Sequence, residues 1–111
     1  MTTYFVSRHP GALTWAAGQH VRVDCVVAHL DPDTIQPGDT VIGTLPVNLA
    51  AQVCLAGARY VHLALDVPAH LRGCELSAHQ LSQLGARLQA FDVRPLPNLP
   101  TPSTQLTPPH P

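Results

Sequence analysis

Short apolar runs alternate with helix-like segments along most of this chain, and that alternation restricts the possible folds more than any other feature. In chain order, the strand-like and helix-like segments are residues 4–6, 11–18, 25–28, 40–44, 45–57 and 59–66. Strands that alternate with helices predict a mostly parallel sheet joined by right-handed crossovers. The run at 25–28 is continuously apolar, which is typical of a strand covered on both faces. The sequence therefore predicts a doubly wound α/β fold.

The part of the chain after residue 66 predicts one more helix and one more strand. A Ser-x-x-Gln capping box at residues 77–80 precedes a helix whose apolar stripe is Leu81, Leu84 and Leu88. Residues 91–94 are expected to add a fifth strand at one edge of the sheet.

The last 17 residues differ in composition from the rest of the chain. The segment from Pro95 onward holds seven of the twelve prolines and alternates them with small polar residues. Such a segment buries too little apolar surface to fold. We therefore predict a single α/β domain over residues 1–94, followed by a disordered Pro-rich tail over 95–111.

The charge pattern limits the kind of partner. Only 12% of the residues are charged, the formal net charge is −1, and all six basic residues are arginine. No general basic field for long nucleic acid is present, whereas a few guanidinium groups suit bidentate contacts to a small phosphate ligand. Since weakly charged surfaces favour burial between subunits, a homodimer is expected.

The sequence contains no motif for a metal site, a cofactor site or a membrane span. The three cysteines form no Cys-x-x-Cys pair, and the seven histidines match no zinc-binding spacing. We therefore expect no metal site and no cofactor. No apolar run approaches the length of a membrane span, and a secretory leader pattern is absent. The expectation is a cytoplasmic protein without membrane contact.

Polar side chains follow each of the four predicted parallel strands. They are Ser7, Arg8 and His9, then His29 and Asp31, then Thr44 and Asn48, and finally Asp66. Open α/β sheets bind ligands at the carboxyl edge, where a following helix also presents N–H groups to a phosphate. We predict that Ser7, Arg8 and His9 are catalytic. The predicted ligand-binding residues are His29, Thr44, Asn48 and Asp66, together with Arg72 from the link before the last helix.

Each of these candidates also has a purely structural explanation. Polar residues at a strand end cap the next helix. This would account for Ser7, Arg8 and His9 at the first strand and for Thr44 and Asn48 at the third. Turn chemistry would explain the Asp-Pro-Asp sequence at 31–33 and the Asp-Val-Pro sequence at 66–68. Arg72 would be an ordinary solvated arginine. His62, inside a strand, is interpreted as a hydrogen-bonded core histidine.

Four segments resemble a known family. They are residues 3–12 (TYFVSRHPGA), 27–32 (VAHLDP), 36–46 (QPGDTVIGTLP) and 59–68 (RYVHLALDVP). They are similar to small Csx-type accessory proteins of type III CRISPR systems, and the likeness extends over about residues 2–94. The resemblance implies a Rossmann-like fold related to the CARF domains that sense cyclic oligoadenylate. It also implies a dimeric ring nuclease that cuts this second messenger and ends the antiviral response.

The implied reaction needs no metal, because the ribose 2′-hydroxyl of RNA can attack the adjacent phosphorus. The protein would align that hydroxyl with the leaving oxygen. Arg8 and helix N–H groups would stabilise the phosphorane charge, and His9 would transfer protons. Cyclic tetra-adenylate is the expected ring. Two alternatives remain open, namely a sponge or sensor that binds the ring without cutting it, and a structural CRISPR adaptor with no ligand.

Overall fold

The computed structural model describes residues 1–96, which form a five-stranded sheet with helices on both faces. The strands are β1 (Thr3–Val6), β2 (Cys25–Val27), β3 (Thr40–Gly43), β4 (Arg59–Ala64) and β5 (Arg87–Phe91). The helices are α1 (Pro10–Gly18), α2 (Val47–Leu55) and α3 (Ala78–Gln83), with single 3₁₀ turns at Pro32–Thr34 and Ala69–Leu71. The predicted α/β class is confirmed. Of the tail predicted to be disordered, residues 95–111, the part at 97–111 lies outside the described residues.

The strand order is β2-β1-β3-β4-β5, with β5 antiparallel to β4 and every other pair parallel. From β1 the chain first moves to one side to form β2 and then returns to the other side to form β3. The connections after β1 and β3 therefore leave the sheet in opposite directions. A crevice opens between the carboxyl ends of β1 and β3, which is where ligands bind in this class of sheet.

The two faces of the sheet carry separate apolar clusters, as the alternation of side chains along each strand requires. One cluster packs beneath α1 and α3, and the other packs beneath α2 and the first 3₁₀ turn. The first contains Phe5, Trp15, Ala16, Ile42, Leu63 and Leu81, and the second contains Ile35, Val41, Ala50, Val53 and Tyr60. Leu63 and Leu81 of the first cluster also line the crevice, so its floor on that face is formed by the core.

The C-terminal part differs from the sequence prediction in register. Helix α3 ends at Gln83, and Gly85 adopts a left-handed φ of 74° that stops the helix. Leu88, predicted on the helix stripe, instead lies in β5 and packs against the core beneath α1 and α3. The fifth strand is thus at Arg87–Phe91 rather than at 91–94, because the glycine shortens the helix.

Strand β2 was predicted to be covered on both faces, and this prediction is wrong. It has three residues, lies at the edge of the sheet, and leaves Val26 49% exposed. An apolar run does not distinguish a central strand from an edge strand, because the distinction depends on where the chain returns to the sheet.

A contact at the start of α1 leads to a stability prediction. A Cβ atom at Gly11 would clash with the backbone carbonyl of Leu76, which crosses the first turn of α1. Gly11→Ala should therefore lower the free energy of unfolding by about 1–3 kcal/mol, as measured in urea. The matched control is Gly18→Ala in the same helix, where an added Cβ meets nothing within 4 Å. Equal stability of the two variants would contradict the close approach.

A buried carboxylate predicts acid sensitivity. Asp39 accepts hydrogen bonds from the N–H groups of Gln36 and Thr2, both at 2.9 Å, and these bonds, chiefly that of Gln36, lower its pKa. The unfolded chain therefore binds a proton at Asp39 more tightly than the folded protein does. The stability that the carboxylate contributes above about pH 4 should be lost as the pH falls through the lowered pKa. Asp39→Asn should flatten the acid limb of the unfolding free energy against pH. Exposed Asp33→Asn is the control, and equal slopes for both variants would contradict this role for Asp39.

Candidate functional site

The first side of the crevice is the turn between β1 and α1. Ser7 continues the pairing of β1 with β2, since its N–H donates to the Val27 carbonyl at 3.0 Å. The Ser7 hydroxyl accepts a hydrogen bond from the His9 N–H at 3.0 Å, which fixes the turn. His9 is the N-cap residue of α1 but makes no capping bond with its side chain. The turn is thus held by Ser7 and by backbone groups, while the side chains of Arg8 and His9 are exposed.

The second side is the turn between β3 and α2, with the sequence Gly-Thr-Leu-Pro. Gly43 fits closely beside β1, since an added Cβ would lie 2.9 Å from the Val6 carbonyl oxygen. Two side-chain bonds anchor the turn. The Thr44 hydroxyl donates to the Leu63 carbonyl at 3.0 Å, and the Leu45 N–H donates to the Tyr60 hydroxyl at 3.0 Å. Both acceptors belong to β4, so this neighbouring strand fixes the position of the turn, which forms one wall of the crevice.

A cleft of about 640 Å³ lies between the two turns and extends towards the link that precedes α3. Its polar side chains are Ser7, Arg8, His9, His29, Thr44 and Cys74, and its apolar walls include Leu30, Leu45, Leu49, Leu65, Val67 and Leu76. Within residues 1–96, no carboxylate lines the cleft, whereas one guanidinium and two imidazoles do. This chemistry suits a ligand that has both anionic groups and flat apolar groups.

The charges around the cleft also favour an anion. Among residues 1–96 the arginine–carboxylate pairs join Arg22 to Asp24, Arg87 to Asp66 and Arg94 to Asp92. Within that part of the chain Arg8 forms no ion pair, so a bound phosphate would not compete with a carboxylate for it.

The structure brings together five of the eight predicted site residues. Ser7, Arg8, His9, His29 and Thr44 all line the cleft. The other three lie outside its lining. Asn48 is exposed on α2, Arg72 is exposed in the link after the second 3₁₀ turn, and Asp66 faces Arg87 at 3.8 Å in an exposed pair. The functional roles of all eight remain predictions.

Sequence reasoning missed two features of the site. The link that precedes α3 forms a wall, because Gly11 lets the backbone at Leu76 pass close over α1. The Tyr60 hydroxyl anchors the turn after β3. His62, its neighbour on the same face, was predicted to be a hydrogen-bonded core histidine; the hydrogen bond is confirmed, but His62 is only half-buried. The available signal was the period-two spacing of Tyr60 and His62 on a strand adjacent to Gly43.

Within residues 1–96, no three His, Cys, Asp or Glu side chains are grouped closely enough to hold a metal ion. In the same range, no helix has the length and apolarity that crossing a membrane requires.

Fold and crevice together define a small doubly wound α/β protein with a candidate ligand site at its switch point. Residues 4–94 match the model of the family described as "Putative CRISPR-associated protein (Cas_VVA1548)". The match covers both turns of the crevice and most of the chain, so the chain belongs to this family. No curated protein and no solved structure matches the chain.

Proposed function

We propose that the protein binds cyclic oligoadenylate and cleaves it, acting as a ring nuclease that ends type III CRISPR signalling. The observation that carries this proposal is the composition of the cleft at the switch point. Among residues 1–96, its lining includes Arg8, His9 and His29 and no carboxylate, and its remaining walls are mainly apolar. Membership of a CRISPR-associated family also supports a role in CRISPR signalling.

The two parts of the cleft match the two parts of an oligoadenylate. Arg8 can form charge-assisted bonds to phosphate oxygens, and the N-terminus of α1 beside it favours negative charge. The apolar walls offer surfaces for adenine bases. A ring of several nucleotides is larger than one such cleft can enclose. We therefore propose that two copies form a symmetric dimer and contact the ring across the two-fold axis.

The proposed reaction is a transesterification within the ring. The ribose 2′-oxygen bonds to phosphorus, the bond to the 5′-oxygen breaks, and a 2′,3′-cyclic phosphate remains. His9 would exchange a proton with the 2′-hydroxyl or with the leaving 5′-oxygen. Arg8 would stabilise the charge that grows on the phosphorane oxygens. Because the nucleophile belongs to the substrate, the chemistry requires orientation and proton transfer rather than a cofactor.

A second candidate function is binding without cleavage. The hydroxyls of Ser7 and Thr44 already form bonds to the backbone, at 3.0 Å each. Fewer groups in the cleft are therefore available for proton transfer than its polar lining suggests. A protein that held the ring but cut it slowly would act as a sponge.

Binding and assembly can be tested together. Isothermal titration with cyclic tetra-adenylate, linear tetra-adenylate and a long single-stranded RNA should show tightest binding of the ring. Sedimentation should show a dimer that binds one ring. Failure of the ring to bind would overturn the proposal, and a monomer at micromolar concentration with and without the ring would overturn the dimer.

A further inference from the structure

Tyr60 is a buried polar residue that lies outside the cleft but forms a hydrogen bond to one wall of the cleft. Its side chain is 97% buried, as only 3% of the residue is exposed, and burial raises the pKa of its phenol. The hydroxyl accepts the Leu45 N–H at 3.0 Å and lies 3.2 Å from the Gly43 carbonyl oxygen. It also lies 2.6 Å from Nδ1 of His62. A single phenol thus contacts the backbone on both sides of Thr44.

The hydrogen bond to Leu45 does not depend on which ring nitrogen of His62 carries a proton. An amide N–H can only donate, so the phenol oxygen accepts it in every arrangement. The one hydroxyl proton then goes to the Gly43 carbonyl when Nδ1 of His62 carries a proton, and to Nδ1 when it does not. Either arrangement holds the phenol oxygen beneath the turn.

Few other bonds hold this turn. Gly43 is the last residue of β3, and Pro46, which has no N–H, precedes α2. Among the described residues, the Leu45 N–H has the Tyr60 hydroxyl as its hydrogen-bond partner. Thr44, Leu45 and Pro46 all line the cleft, while Tyr60 does not. The phenol can therefore affect the ligand only through the wall that it supports.

We propose that Tyr60 is a positioning residue for the cleft, which holds the Thr44–Pro46 wall in its binding geometry through the Leu45 N–H. This inference rests on the proposed function, because it concerns affinity for the same ligand. Without the hydroxyl, the Leu45 N–H would lose its partner and the wall would sample other positions. The ring would then have to order the wall when it binds.

The test compares Tyr60→Phe with Tyr4→Phe. Tyr4 packs in the same apolar cluster, and among residues 1–96 its hydroxyl makes no hydrogen bond, so this variant controls for loss of a phenol oxygen. Tyr60→Phe should weaken binding of cyclic tetra-adenylate about tenfold. It should also speed hydrogen exchange of the Leu45 amide about tenfold or more, relative to amides of central β3. Tyr4→Phe should change neither quantity.

The possible outcomes distinguish failure of the Tyr60 positioning role from failure of the proposed ring-binding function. Ring binding by the wild type, with unchanged affinity and Leu45 exchange in Tyr60→Phe, overturns the positioning role alone. Faster exchange with unchanged affinity also overturns it, because the wall would then be mobile without consequence for the ligand. A wild type that does not bind the ring overturns both proposals. All measurements are made at a temperature at which unfolding curves show that every variant is folded. A loss of affinity then cannot come from unfolding.

Discussion

Arg8→Ala is expected to weaken binding of cyclic tetra-adenylate by about ten- to a hundredfold. A charge-assisted contact to phosphate contributes roughly 1.5–3 kcal/mol, which corresponds to that range of affinity. In the part of the chain that the structure describes, Arg8 is the one arginine that lines the cleft, and the sequence has no lysine to substitute for it. If the same guanidinium also meets the phosphorane charge, the single-turnover rate should fall further than the affinity does.

The matched control for Arg8 is Arg22→Ala. Arg22 has a 92% exposed side chain paired with Asp24 at 3.6 Å and lies outside the cleft lining. Its removal changes the net charge equally, so it measures the general effect of charge on an anionic ligand. Should Arg8→Ala fold normally and bind like Arg22→Ala, the turn after β1 is not the phosphate site. The turn after β3, with Thr44 in the cleft lining, would then be the candidate phosphate site.

His9→Ala is expected to lower the single-turnover rate by about 10²–10⁴-fold while affinity stays nearly unchanged. The structure makes this a clean substitution, because the His9 side chain forms no capping bond and its N–H bond to Ser7 belongs to the backbone. His79→Ala, exposed on α3, is the control. Added imidazole should restore part of the lost rate if proton transfer is the missing step. A rate equal to that of the control would remove His9 from the mechanism.

The existence and chain positions of the first four strands could be predicted from the sequence, because apolar runs and polar strand ends follow simple periodicities. The position of a strand within the sheet could not. The run at 25–28 looks central but forms an edge, since strand order depends on long-range connections. Leu88 was misassigned because a leucine stripe continues across Gly85, whose left-handed φ ends the helix.

The candidate site, too, could be predicted only in part from the sequence. Residues directly after β1 and β3 could be predicted to meet, because parallel strands end at one edge, and Ser7, Arg8, His9 and Thr44 do line one cleft. Contacts that depend on side-chain reach could not be predicted. Tyr60 supports the turn after β3 from the adjacent strand, and the link at Leu76 closes over α1 only because position 11 is glycine.

The most direct measurement is product analysis by liquid chromatography and mass spectrometry, after the protein and cyclic tetra-adenylate are incubated in EDTA. Transesterification adds no atoms, so the first product should have the mass of the ring but a different retention time. A second cut on the opposite side should give dinucleotides of half that mass that end in 2′,3′-cyclic phosphate. Recovery of the intact ring at enzyme excess would contradict the nuclease function. An early product heavier by one water would contradict attack by the 2′-hydroxyl.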